Sequence, residues 1–326
     1  MAILTASAPR SSSGTAYEAV CIGETMGQFV PSDATGIEHA GMFALGQAGA
    51  ESNVAIVLAR LGHSVAWSSR LGDDPVGRRV LAAIAREGVD TSLVRMEADQ
   101  QTGIFLKDMV GGDRPVTYYR ARSAASHLDR FDVLQASRRA SRIVHTSGVT
   151  VALSDSCADG VTALLHGPRP AGVRYSFDVN YRARLWSDHE TASTVLQATA
   201  NSSNIAFVGL DEAMELWRVK SVDGVRAALP GPDVVVVKDG SRSAVAFVGS
   251  DRYEVPALSA NIVDAVGAGD SFAGGFLHAL LDRQPWRTAL RAGHVAARTS
   301  LASVSDVGLA LNATDLARDV LDENLW

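Results

Sequence analysis

The chain has 326 residues, a formal charge of −6 and a composition that is 47% hydrophobic and 20% charged. That length supports one large α/β domain or two small ones. The acidic balance offers no footprint for nucleic acid or an anionic membrane surface, and no apolar run reaches the roughly 20 residues that span a bilayer.

Residues 1–16 are rich in Ala, Ser and Thr and lack the apolar stretch of a secretory signal, so they read as a floppy tail. A first strand is predicted over 19–23, a buried helix over 53–61 ended by Gly62, and a second strand over 64–68. Pro75 opens a helix to about Arg86, capped by Asp73 or Asp74 and ended by Gly88. Further strands are predicted near 142–145, 173–178, 205–208 and 234–238, with helices between most of them. This alternation argues for a doubly wound, mostly parallel sheet. The run Val234-Val235-Val236-Val237 suits a strand covered on both faces. Segments 25–47 and 101–120 break the rhythm and read as antiparallel strands added to the body, forming a small lid. Such a lid excludes water from a group-transfer reaction. Cys21 and Cys157 have no zinc or Cys-x-x-Cys spacing; they read as small core residues in a reducing cytoplasm.

The segment Asp264-Ala265-Val266-Gly267-Ala268-Gly269-Asp270 carries the sharpest chemistry. A β-rich stretch is predicted to end near Val263, and an amphipathic helix with Phe272, Phe276 and Leu280 follows. Gly267, Ala268 and Gly269 would expose backbone N–H groups at the helix start as an anion hole. Asp270, just inside the helix, is placed to accept a proton from a hydroxyl, the pairing that phosphoryl transfer to an alcohol requires. The competing reading is a Gly-rich helix start with an ordinary capping Asp. There is no P-loop, and Phe272 occupies the third glycine position of a dinucleotide fingerprint. A second Gly-rich loop, Gly46-Gln47-Ala48-Gly49, leads into a helix headed by Asn53, either a hydroxyl-binding side chain or a cap.

Gly49…Asn53, Arg70-Leu71-Gly72-Asp73-Asp74-x-x-Gly77 and Asp264-x-x-Gly267-Ala268-Gly269-Asp270 occur in that order, and together they resemble the ribokinase-like (PfkB) sugar kinases. The resemblance runs from about Ala19 to Leu309. It implies a ribokinase-like three-layer α/β sandwich over residues 17–326, with a mostly parallel central sheet and a small β lid. It also implies ATP, Mg²⁺, scope for a monovalent cation, and transfer of the γ-phosphate to a sugar hydroxyl. Asp270 matches the catalytic base, and Gly267 and Gly269 the anion hole. Two positions depart from the pattern. Ala265 stands where Thr is frequent, and the Asn-x-x-Glu motif appears as Gly209-Leu210-Asp211-Glu212, keeping Glu212 as an indirect, water-mediated metal contact.

Two arginine segments bear on the substrate. Tyr118 and Arg120 are two apart and would point the same way along a strand, and Arg182 follows a predicted strand end, where open α/β sheets place ligands. Two guanidinium groups there can hold a carboxylate; the alternative is surface Arg and packed Tyr side chains. The stretches Tyr118-Tyr119-Arg120-Ala121-Arg122-Ser123-Ala124-Ala125-Ser126 and Asp178-Val179-Asn180-Tyr181-Arg182 resemble those of 2-keto-3-deoxygluconate kinases within the family. By that resemblance Gly49, Tyr118, Arg120, Arg182 and Asp270, joined by Asn53, contact a sugar acid. Arg122 stands where Gly is common. On the nucleotide side the resemblance implicates Lys238 and Gly240 for phosphate and ribose, and His294 on a helix that walls the adenine. A neutral-sugar kinase and a non-catalytic sugar-binding relative are the alternatives, and gluconate-type and galactonate-type acids both stay open. An exposed lid edge suggests a homo-oligomer, a dimer or higher.

Overall fold

Successive residues of a strand point to opposite faces, so the four consecutive valines divide: Val234 and Val236 enter one hydrophobic core, Val235 and Val237 another. A computed structural model describes residues 16–33, 36–108, 116–303, 307 and 311–326. The tail expected at 1–16 lies, apart from Ala16, outside them.

In chain order the elements begin with β1 (Tyr17–Ile22), β2 (Met26–Pro31), β3 (Phe43–Ala48), α1 (Ala50–Arg60), β4 (Val65–Ser68), β5 (Arg70–Gly72) and α2 (Pro75–Arg86). Next come β6 (Arg95–Glu97), β7 (Ile104–Lys107), β8 (Val116–Tyr119), α3 (Arg130–Ser137), β9 (Ala140–Ser147), α4 (Gly148–Val151) and α5 (Asp155–His166). They continue as β10 (Arg174–Asp178), α6 (His189–Ser202), β11 (Ile205–Gly209), α7 (Leu210–Trp217), α8 (Val222–Ala228) and β12 (Val234–Asp239). The chain closes with β13 (Ser243–Val248), β14 (Asp251–Pro256), α9 (Ala268–Leu281), α10 (Trp286–Leu301) and α11 (Ala313–Leu321).

The large sheet has the order β14-β13-β12-β11-β10-β9-β1-β4. It is parallel from β12 to β4, with β13 and β14 antiparallel at one edge. Helices α1, α2, α9, α10 and α11 cover one face, and α3, α5, α6, α7 and α8 the other. The result is the expected three-layer sandwich. Asp74 is the cap of α2, accepting from the Gly77 amide at 2.7 Å. Both cysteines are buried free thiols. No helix among the described residues is long and apolar enough to cross a membrane.

The added strands form a separate four-stranded sheet of order β3-β2-β7-β8. The hairpin pairs β2/β3 and β7/β8 are antiparallel as expected, but β2 and β7 join them in parallel. Hairpin partners must run antiparallel; β2 and β7 are distant in the chain and have no such constraint. Two other expectations change. Val263 is not at a strand end, because β14 stops at Pro256 and an irregular stretch leads to α9. β8 ends at Tyr119, so Arg120 lies one residue beyond the strand.

Candidate active site

The parallel strands β9 to β12 end on the same side as the start of α9. Gly267 caps that helix at φ 80°, in the left-handed region that favours glycine. The turn is held from behind: the Asp264 carboxylate accepts from the Val266 amide at 3.1 Å and is ion-paired with Lys107 of β7. Lys107 and Asp264 are both buried, so the lid sheet is tied directly to the loop that builds the helix start. Lys238, at the end of β12, brings its Nζ within 3.3 Å of where a Cβ on Gly269 would stand. The same ammonium donates to Asp178 Oδ2 of β10 at 2.7 Å. A helix N-terminus, small residues and a cation therefore converge, the composition of an anion site.

Asp270 occupies the first turn of α9. Its Oδ2 accepts from Asn53 Nδ2 at 2.8 Å and its Oδ1 from Asn180 Nδ2 at 3.2 Å. Burial raises its pKa above the ordinary Asp value; the Asn53 bond opposes the rise, and the Asp178 charge adds to it. Arg182 and Lys238 both favour its ionised form. The alternative of Asn53 as a cap is corrected here. Gly49 is the N-cap of α1 without any side-chain bond, which places Asn53 one turn inside and turns its amide toward Asp270.

Glu212 sits in the first turn of α7. Its Oε2 accepts from the Gly209 amide at 2.9 Å and its Oε1 from the Tyr181 amide at 2.8 Å. Because Gly209 has no side chain to cap α7, Glu212 reaches back to do so. Burial raises its pKa, Lys238 opposes that, and Asp178 adds to it. Arg182 lies 3.7 Å from Glu212 Oε1, with its side chain 53% exposed.

On the lid side, Arg120 is ion-paired with Glu24, and Ser123 donates to the same carboxylate. The free two-arginine fork is thus corrected: Arg120 is already half neutralised by a buried Glu, while Arg182 retains open guanidinium surface. Arg120 still lies 5.7 Å from the centroid of the Tyr118 ring, so the two side chains do share a face. Arg122 has φ 58°, which explains why glycine suits that position. Gly49 abuts the backbone of β2's approach. A Cβ there would meet Glu24 O, with Thr25 Oγ1 at 2.6 Å and Thr25 Cα at 2.8 Å. Gly49→Ala should therefore destabilise the fold by about 1–3 kcal/mol, the usual range for overpacking. A lowered denaturant midpoint with an unchanged slope would be the measured sign.

Gly240 lies in the turn after β12, at φ 53°. His294 is on α10 as expected, but its imidazole is buried, 3.2 Å from Val255 O and edge-on to Phe272 at 5.2 Å. Burial lowers its pKa to about 4. It therefore packs mainly against the core, between Phe272 and Val255. The same helix ends beside a cleft of about 490 Å³ lined by residues that include Asn261, Arg298, Thr299 and Ser303.

Four residues of this constellation had no role in the sequence reading: Asp178, Asn180, Lys107 and Glu51. Asp178 and Asn180 share the strand end that pointed to Arg182. Asn180 adopts φ 39°, a conformation Asn tolerates better than most residues, and a polar residue at a strand end is the available signal. Lys107 reads as an ordinary lid charge until the topology brings it to Asp264. Glu51 is buried, its Oε1 accepting from Ser147 Oγ and Thr150 Oγ1, each at 2.7 Å. Burial pushes its pKa up to about 7.

Residues 17–309 match the pfkB family of carbohydrate kinases. A 2-dehydro-3-deoxygluconokinase of Bacillus subtilis is 34% identical over 282 residues, covering 85% of this chain and 87% of that protein. A 2-dehydro-3-deoxygalactonokinase of Haloferax volcanii is 34% identical over 313 residues, covering 93% and 96%. The crystal structure of a PfkB protein from Polaromonas sp. JS666 superposes with a TM-score of 0.83 at 34% identity, covering 93% of this chain and 99% of that one.

Proposed function

The chain belongs to the pfkB family of carbohydrate kinases, and from that membership we propose that it transfers the γ-phosphate of ATP to a hydroxyl of a 2-keto-3-deoxy sugar acid, 2-keto-3-deoxygluconate giving its 6-phosphate. Phosphotransfer to a sugar is the activity of the family. The observation that carries the acid is Arg182, a half-exposed guanidinium that acts on the charge of Asp270 and retains open donors. Similarity to the gluconate-type and galactonate-type kinases supports the same substrate class.

In this reading Asp270 takes the proton from the attacking hydroxyl, and Asn53 and Asn180 fix its carboxylate and contact the sugar from either side. The N–H groups of Gly267, Ala268 and Gly269, with Lys238, meet the negative charge on the transferring phosphoryl group. Gly49, Tyr118 and Arg120 line the sugar side; Gly240 approaches the nucleotide, and α10 with its cleft receives the base. The oxygen-rich set Asp178, Glu212 and Asp270 would suit Mg²⁺, with Glu212 as an indirect, water-mediated contact, and the ion would supply positive charge to offset that of the phosphates. A neutral-sugar kinase would use a carboxylate such as Glu24 to grip hydroxyls, but Glu24 is engaged by Arg120 and Ser123.

We take residues 17–326 as one kinase domain. The exposed side chains of Met42, Phe43 and Tyr119 on and beside the lid support pairing with a second copy, and buried free thiols suit the cytoplasm. The test is ADP release across a panel of sugar acids and neutral sugars with Mg²⁺-ATP. A 2-keto-3-deoxy acid should give the highest kcat/KM; faster turnover of fructose or ribose would overturn the substrate.

A further inference from the structure

At the far end of α9 from Asp270, three side chains converge that the kinase chemistry does not use. His278 is in the last turn of the helix, Asp282 just follows it, and His63 follows α1. His63 Nε2 lies 2.8 Å from His278 Nδ1 and 3.9 Å from Asp282 Oδ1. One ligand atom from each of the three lies within 4.8 Å of the others. The side chains are 6%, 12% and 48% exposed for His63, His278 and Asp282, so the cluster has a closed back and one open side.

We propose that His63, His278 and Asp282 bind a divalent transition-metal ion, with zinc as the best fit. Two imidazoles and one carboxylate are a set of nitrogen and oxygen ligands that suits zinc, and the half-exposed Asp282 leaves room for water to complete a tetrahedron. The partner behind the first imidazole is also present. Glu18 Oε2 lies 3.3 Å from His63 Nδ1 and accepts from the Ser64 amide at 3.2 Å. That carboxylate holds the Nδ1–H tautomer of His63 and directs the Nε2 lone pair into the cluster. The proton between the two rings moves from Nδ1 to Nε2 of His278, which faces Asp282 Oδ2 at 3.9 Å, and this frees the second nitrogen. The two rings then separate by roughly half an ångström to accept metal–nitrogen bonds of about 2.0–2.1 Å.

The ion would clip the connection after α1 to the end of α9. Those helices carry Asn53 and Asp270 at their other ends, roughly 12–15 Å away at the helical rise per residue. Its effect is therefore on stability, and it takes no part in phosphoryl transfer.

The test uses the full chain, stripped with chelator and desalted, titrated with zinc chloride in a calorimeter without nucleotide. One equivalent should bind per chain and raise the melting midpoint. Excess Mg²⁺ should not compete, because it prefers oxygen ligands. Glu18→Gln should weaken binding about 10–100-fold, and His63→Gln or His278→Gln more than that. Asp282→Asn, a change at a half-exposed position, also weakens binding and serves if a histidine variant does not fold. No zinc binding, displacement by Mg²⁺, or unchanged affinity in the folded histidine and Asp282 variants would each overturn the site.

Discussion

Asp270→Asn is expected to lower kcat by roughly 10²–10⁴-fold, the range for loss of a general base, while the sugar KM stays within several-fold. The structure says why binding survives. Asn53 and Asn180 each donate an amide N–H to one carboxylate oxygen, and Asn in place of Asp offers one oxygen and one NH₂. Among the described residues Asn180 Oδ1 has no hydrogen-bond partner, so rotation of its amide can present an acceptor to the new NH₂. Shape and hydrogen bonding are kept, and only the proton acceptor is lost. In the wild type, kcat/KM should fall as pH is lowered and Asp270 takes up a proton. Because burial and the Asp178 charge raise its pKa, that limb lies above the ordinary Asp range. Asn53→Ala removes a donor that favours the ionised form, so it should move the limb to higher pH. Near-wild-type turnover of Asp270→Asn would take the base role away from Asp270.

The parts of the molecule legible in the sequence are those fixed by local pattern. The valine run, Pro75 behind Asp74 and the small residues before Asp270 each act within one element, and each forms the strand, helix or helix start expected. What escaped was set by contacts between distant segments. Asn53 can be read as a cap or as a ligand from its neighbours alone; α9 packing beside α1 decides the matter by bringing Asp270 to it. Lys107 gives no local hint of its partner, which lies 157 residues later in Asp264. The parallel pairing of β2 with β7 is likewise a tertiary choice. Arg120 is the instructive case. Its spacing from Tyr118 correctly places both on one face, but spacing says nothing of the Glu24 charge beneath it.

The Lys107–Asp264 pair ties the small sheet to the start of α9. Asp264 shapes the turn whose amides would form the proposed anion site, and its buried charge faces Lys107 of the small sheet. A buried pair broken on one side leaves an uncompensated charge. Strand β7 and the turn before α9 are therefore energetically joined, and the order of one depends on the other.

That division of labour bears on the two arginines. Arg120 is 11% exposed and tied to Glu24, whereas Arg182 is 53% exposed, bonded to Tyr181 O at 2.9 Å and 3.7 Å from Glu212. In the proposed reading a substrate carboxylate would meet a half-neutralised group at Arg120 and an available one at Arg182. Arg182→Ala should therefore raise KM for a 2-keto-3-deoxy acid by roughly 10–150-fold, corresponding to about 1.5–3 kcal/mol for a hydrogen bond to a charged group. KM for ATP should change little. Arg182 also favours ionised Asp270, so its loss should move the acid limb of the pH profile to higher pH. The two effects separate in one experiment. At a pH well above that limb the kcat of the variant recovers while KM for the acid stays high. An equal rise in KM for a neutral analogue lacking the carboxylate would show that Arg182 holds some other part of the sugar.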